Sequence, residues 1–296
     1  ISKAFGDAVI AEDGWPLPTE YRNQFIEMLI ETSGILQRCT PIPMAANSVT
    51  LPVMDSTTIT TYWIGEGTRY TDSEPTTDSI TMTLGKLTSF AIVNSELLED
   101  SPISLEPVLQ KMFTNKMTLA LEDAILNGNG ATNKPTGVYD SGNTALITVA
   151  KESGQTNNTI VEDNILKVYD QQKNKSAAVW VLPQTSVLMQ IMKINRSIST
   201  AGGCPLYVPT GGLSAAPYGT ILGQPIVFSD AAKALGVKGD LGFVDFSNYF
   251  IGQKAGKGLV SDTSLHLRFD YDQMCFRWTW RVTGKPGLKT PYTLST

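Results

Sequence analysis

Between Ser104 and Asn127 the chain reads SLEPVLQKMFTNKMTLALEDAILN, long enough for one helix of roughly 36 Å. Leu105, Val108, Leu109, Met112, Leu119, Ala120 and Ala124 recur mostly at three- and four-residue steps, which predicts an apolar stripe along it. Ser104 is placed to cap the first turn, and Glu106 lies at the positive end of the helix dipole. Pro107 falls where the first turn has no internal N–H partner. Gly128-Asn129-Gly130 closes the segment, with Gly128 predicted as a left-handed stop. A rod as long as a small domain is wide dictates that other elements lie along it.

With 296 residues, 42% hydrophobic and 17% charged, the chain has material for a large core and reads as a soluble globular protein. The longest apolar run, Ala177 to Leu182, is too short to cross a bilayer, and no membrane partner is expected. The 23 basic and 28 acidic residues give a net charge of -5, which argues against a chain held to nucleic acid by neutralising phosphates. Cys39, Cys204 and Cys275 are odd in number, far apart and outside any CxxC pattern. They are expected as buried thiols, not as a zinc site or a disulfide framework. Ile1 stands where a start methionine would; a boundary of the sequence and trimming by a protease both fit.

Residues 1–47 read as an extended arm, irregular around Gly14-Trp15-Pro16-Leu17-Pro18, with a short helix predicted from Glu20 to Thr32. Ten threonines then crowd Ser56 to Thr83. Strands are predicted at Thr57 to Ile64 and Ile80 to Leu84, with turn signals at Gly65-Glu66-Gly67 and Asp72-Ser73-Glu74-Pro75. A hairpin this polar is not stable alone in water. Tyr62, Trp63, Ile64 and Tyr70 stand among the threonines as isolated anchors for a neighbouring subunit, although an edge hairpin folded back on its own domain is the simpler alternative.

Beyond the long helix, Thr132 to Val161 is expected as loop with short strands. A mixed unit follows: a helix from Asp163 to Lys173, a buried strand Ala177 to Leu182, and a helix with Val187, Leu188, Ile191 and Met192 on one face. Then come a flexible Gly/Pro segment from Ala201 to Gly219, a strand through Ile221 to Phe228, and one from Leu241 to Ile251. In the tail, the apolar residues Leu265, Leu267, Phe269 and Tyr271 are odd-numbered, whereas Met274, Phe276, Trp278, Trp280 and Val282 are even-numbered. That parity switch predicts a bulge or tight turn at Asp270 to Gln273. The fold class is α+β, with the tail strands as partners of the long helix.

The order LEDAILNGNGATNKPTGV, AAVWVLPQTSVLMQIMKIN, GTILGQPIVFSD, Gly239-Asp240 and FDYDQMCFRWTWRVTGKPG resembles the major capsid proteins of tailed bacteriophages, which share the Hong Kong 97-like fold. The similarity runs from about Ser48 to Gly287. It implies an N-terminal arm (1–47), an E-loop hairpin (48–86), a peripheral domain (87–129 and 257–296) and an axial domain (130–256). It further implies a homo-oligomer of pentamers and hexamers closing into an icosahedral virion shell around double-stranded DNA, assembled in the host cytoplasm. The implied partners are a portal, a decoration protein and a maturation protease acting on the precursor. Candidate inter-subunit contacts are Tyr62, Trp63, Ile64, Glu66, Arg69, Tyr70 and Trp15. Some relatives crosslink through an E-loop lysine, a tail asparagine and a glutamate; here Ser48 to Gly85 has no lysine, and Asp272 and Thr279 hold the other two positions. An uncrosslinked shell is therefore expected.

Reactive constellations are sparse, and no cofactor is expected. His266 is the one histidine and lies in an alternating strand, so a Ser-His-Asp relay has a single possible base. Gly252 to Gly258 has one residue too few between glycines for a phosphate loop and no Ser or Thr after its lysine. Asp270 and Asp272 are expected in a turn, and Glu66 and Arg69 at the arm tip in exposed pairing across a subunit boundary that sets register more than strength. An encapsulin-type shell around a protein cargo is the alternative function, and a hydrolase using His266 the remote one.

Overall fold

The computed structural model describes residues 34–55, 59–100, 105–131, 134–172, 174–183, 187–196, 204–205 and 219–287. The predicted helix at Glu20 to Thr32, Trp15 and most of the Ala201 to Gly219 segment lie outside them. In chain order the first half contains β1 (Thr40–Met44), β2 (Ser48–Asp55), β3 (Thr76–Thr83), β4 (Gly85–Asn94), α1 (Ser95–Asp100) and α2 (Leu105–Asn127). Then follow α3 (Glu162–Gln171), β5 (Val179–Leu182), α4 (Val187–Lys193), the short pair β6 (Asn195–Arg196) and β7 (Cys204–Pro205), β8 (Thr220–Ile221) and β9 (Gln224–Phe228). The last strands are β10 (Gly242–Val244), β11 (Tyr249–Lys254), β12 (Val260–Arg268) and β13 (Gln273–Pro286).

The 14-residue β13 organises the larger sheet. β11 and β12 pair antiparallel with its two halves along one edge, β4 runs along the other, and β1 adds parallel to β11. The even side chains of β13 face α2: Phe113 stacks on Trp278 at 4.1 Å between ring centres, over Met117 and Phe276. The expected turn in the tail is present, with Phe269 to Tyr271 forming a short 3-10 turn and Asp272 left-handed at φ 48°.

α2 is the long helix that the sequence predicts, but it buries a different face. Leu109, Phe113, Met117, Leu121 and Ile125 form the row that packs, at four-residue steps, while Met112 and Ala120 of the predicted stripe are exposed. The tertiary partners choose the row: β13 meets the first half, and Val179, Val181, Val227 and Phe246 meet the second. Gly128 also corrects the expectation, because it is not left-handed; that role falls to Gly130, at φ 66°. Gly128 continues the helical pattern, its N–H donating to the Ala124 carbonyl at 3.0 Å, and Gly137 crosses it so closely that its own N–H donates to the Gly128 carbonyl at 2.7 Å. A Cβ on Gly128 would stand 2.3 Å from the carbonyl oxygens of Ala124 and Pro135.

The smaller sheet has the order β10-β5-β9-β8, with β5 and β9 parallel and the other pairs antiparallel. All four residues of β5 are buried, and Ile165 of α3 and Val187 and Ile191 of α4 cover it. Trp180 stacks on Phe243 at 4.4 Å and donates its indole N–H to the Ile221 carbonyl at 3.0 Å. Met192, expected on the buried face of α4, is exposed. Residues 134–161 form turns without a named strand, apart from a single bridge between Asn129 and Thr136. The one strand predicted from Leu241 to Ile251 is two, β10 and β11, in different sheets. Asp245 breaks it by accepting from the Ser247 N–H, the Ser247 hydroxyl, Asn248 and Asn174, which fixes a 3-10 turn between them.

Candidate assembly surface

The hairpin arm begins where apolar side chains alternate. In β2, Val49, Leu51 and Val53 share a face with Met82, Ile80 and Asp78 of β3, through the pairs Val49–Met82, Leu51–Ile80 and Val53–Asp78. Ile80, Met82 and Leu84 are buried with Met44, against Ile42 and Phe250, so the root of the arm rests on its own chain. The strand expected at Thr57 to Ile64 is absent over its described part: residues 59–64 are irregular, and the ladder spans Ser48–Asp55 with Thr76–Thr83. Past Asp55 the chain offers threonines with few apolar neighbours opposite, which leaves little to hold a second ladder. A turn closes the tip, Thr68 N–H donating to the Gly65 carbonyl at 3.3 Å, and Thr60 N–H donates to the Ser73 hydroxyl at 2.8 Å.

Eight paired residues hold that tip roughly 25 Å from the root. There Trp63 is fully exposed at 105% of its reference area and Tyr70 at 83%; Tyr62 is also exposed and Ile64 half-buried. Glu66 and Arg69 are exposed, and neither has a hydrogen bond or ion pair among the described residues. The structure thus brings six of the seven candidate contacts onto one projecting tip and places them away from the core. Trp15 lies outside the described residues.

Two features escaped the sequence. Leu265, Leu267, Phe269 and Tyr271, read there as half of a covered strand, are exposed at the end of the β12–β13 hairpin, where β12 is paired on one edge alone among the described residues. Their alternation signalled a strand, but not that its apolar face is left uncovered among the described residues. Glu122 is buried on α2, with one carboxylate oxygen accepting from the Ser229 hydroxyl at 2.7 Å and the other without a hydrogen bond among the described residues. It ties α2 to the strand end after β9.

Titration follows burial. The Cys39 thiol is pushed up to about 12 by burial and then by the nearby Glu122 carboxylate, and its S–H donates to the Ile35 carbonyl. Burial raises the Tyr139 and Tyr249 phenols as well, with Asp240 and Cys39 adding to the respective shifts. Cys39 and Cys275 are buried free thiols. A cavity of about 240 Å³ is lined by Tyr139, Phe243, Asp245 and Tyr249, but both Asp245 oxygens are taken by the donors of its turn. His266 is exposed on β12. Among the described residues no group of three or more His, Cys, Asp or Glu could hold a metal, and no helix is long and apolar enough to cross a membrane.

The sequence matches the phage capsid family over residues 13–290. No curated protein matches it. Among solved structures it is similar to the capsid of a native GTA particle computed with C5 symmetry, at 22% identity and a TM-score of 0.72, covering 97% of this chain and 100% of that one. The capsid of an empty GTA particle gives 20% identity and a TM-score of 0.69 over 91% of each chain. A chain from Microbacterium phage Oxtober96 gives 16% identity and 0.69 over 92% of this chain and 90% of that one. These likenesses carry the fold, and the family match carries the kinship: the chain belongs to the phage capsid family and has its Hong Kong 97-like α+β fold.

Proposed function

We propose that the chain is the major capsid subunit of a tailed phage, built of pentamers and hexamers that close into an icosahedral shell around double-stranded DNA. The observation that carries this reading is the arm tip, where a fully exposed Trp63 stands with Tyr62 and Tyr70 beyond the reach of the core. Soluble monomers seldom leave such a cluster uncovered, and a second copy supplies the cover at no cost in new sequence. The chain divides into an N-terminal arm (1–47), the E-loop (48–86), a peripheral domain (87–129 with 257–296) and an axial domain (130–256). Ile64, Glu66, Arg69 and Trp15 are assigned to the same contacts. A portal, a decoration protein and a maturation protease complete its partners, and no catalytic step is assigned to it.

Each subunit is held by several weak contacts at once, so the shell gains avidity without any one contact being strong. Removing Thr61 to Thr77 is expected to leave α3, α4 and the smaller sheet folded while abolishing closed particles in electron micrographs. Normal particles from that deletion would refute the role of the arm. Absence of the crosslinking lysine, asparagine and glutamate supports a shell joined without covalent bonds. Denaturing gels of particles should then show one band near 32.1 kDa, and a ladder of larger species would contradict it.

A further inference from the structure

The root of the arm carries a concentration of positive charge that the acidic whole does not predict. Lys86 of β4 stands directly opposite Arg281 of β13, and Lys254 of β11 lies one residue beyond the Gln253–Val282 pair. A row of cations therefore crosses three adjacent strands on one face, with Lys257 in the following turn and Lys285 further along β13. Like charges directly opposite each other destabilise a sheet. Their bonds go to neutral acceptors: Lys254 donates to the Ala45 carbonyl, Arg281 to the Asn47 side chain at 2.5 Å and Lys285 to the Thr81 carbonyl at 3.2 Å. Segments 41–54, 79–95, 246–261 and 273–287, which build this region, contain no Asp or Glu. Among the described residues none of these cations has an acidic partner.

The opposite charge is at the other end of the arm. Between residues 59 and 75 the chain has Glu66, Asp72 and Glu74 against Arg69, and none of the four has a hydrogen bond or ion pair among the described residues. The paired ladder keeps this tip roughly 25 Å from its own root, so the two cannot neutralise each other within one subunit. Along the face that bears Lys86, the next outward residues of β4 include Phe90 and Ile92, both exposed. That surface is basic at one end, and at the other its exposed apolar side chains lie beside the Arg277–Asp262 ion pair, which is closed on itself at 2.7 Å. The tip is acidic and aromatic.

We propose that the acidic tip of the arm seats on the basic root of the arm of a second copy, Glu66 and Glu74 meeting Lys86 and its neighbours while Trp63 and Tyr70 cover Phe90 and Ile92. The inference rests on the reading of the arm as an inter-subunit element and specifies where it lands. The contact is heterologous, head to tail, which is the kind that closes into a ring. Charge complementarity selects the landing site and register, and the aromatic cover supplies most of the hold. A bound polyanion such as duplex DNA is the competing occupant of the same cations.

The test is charge exchange at side chains without a hydrogen bond or ion pair among the described residues. Lys86→Glu with Lys257→Glu at the root, and Glu66→Lys with Glu74→Lys at the tip, should each raise the concentration for half-assembly by about tenfold, read by sedimentation velocity. The fourfold variant should return to within about threefold of the parent. Raising salt from about 0.1 M to about 1 M, where screening shortens from about 10 Å to about 3 Å, should weaken parental assembly. The tip variant alone should lose that salt dependence, which decides the matter even if the root variant fails to fold. A fourfold variant no better than its parts, or an unchanged salt dependence, overturns the proposal. So does a root variant that forms normal shells but no longer retains duplex DNA, which would assign the cations to the polyanion. Particles formed without Thr61 to Thr77 would instead overturn the underlying reading of the arm.

Discussion

Replacing Trp63 with alanine separates folding from assembly. In the subunit the side chain is exposed at 105% of its reference area and has no ring contact or hydrogen bond among the described residues. Its removal should therefore change the unfolding free energy of the unassembled chain by no more than about 0.5 kcal/mol. In the shell, covering half of the roughly 200 Å² of a tryptophan removes about 100 Å² from water, which at about 25 cal/mol/Å² contributes about 2.5 kcal/mol per contact. That corresponds to about sixtyfold in the equilibrium constant of each contact. Thermal unfolding of the dissociated protein and light scattering against concentration measure the two halves. A W63A chain that melts several degrees lower yet assembles at the parental concentration would refute the reasoning, because it would place the tryptophan in the core.

Other consequences follow from the backbone crossing and the buried acids. Gly128→Ala should cost about 3 kcal/mol, since the new methyl meets two carbonyl oxygens, and Gly128→Asn should cost at least as much; if the asparagine variant is the more stable by thermal melting, the glycine is a left-handed stop after all. Cys39, held protonated up to about 12, should resist iodoacetamide at pH 8 in the folded protein and react once urea unfolds it. Because the unfolded thiol ionises near 9.0, the folded state binds more protons above that pH, and stability should be full below it and fall as pH rises toward about 12. Tyr139 and Tyr249, raised in the same direction, steepen that loss; a flat stability profile from about pH 8 to about pH 11 would contradict these shifts.

Local signals survive into this fold where the chain decides for itself. The length of α2, the parity switch before Gln273 and the apolar run of β5 are each set by a few adjacent residues, and each is found in place. The buried face of α2 was not legible in this way. Val108, Met112 and Leu119 are as apolar as Leu109, Phe113 and Met117, and β13, more than 150 residues onward, determines which row is covered. Likewise the break at Asp245 depends on Asn174, 71 residues away, whose amide completes the turn. The arm shows both cases. Aromatic residues among threonines marked the tip, but the packing of Ile80 and Met82 on Met44 and the cation row at the root required distant strands to meet.

The central claim is that the projecting tip finds its cover on another copy of the same chain. An electron cryomicroscopy reconstruction of the assembled particle, at a resolution that traces side chains, tests it directly. The account predicts that Trp63 and Tyr70 are buried against a neighbouring subunit. Density in which residues 59–75 fold back onto their own subunit, or stand in solvent in a closed shell, would contradict it.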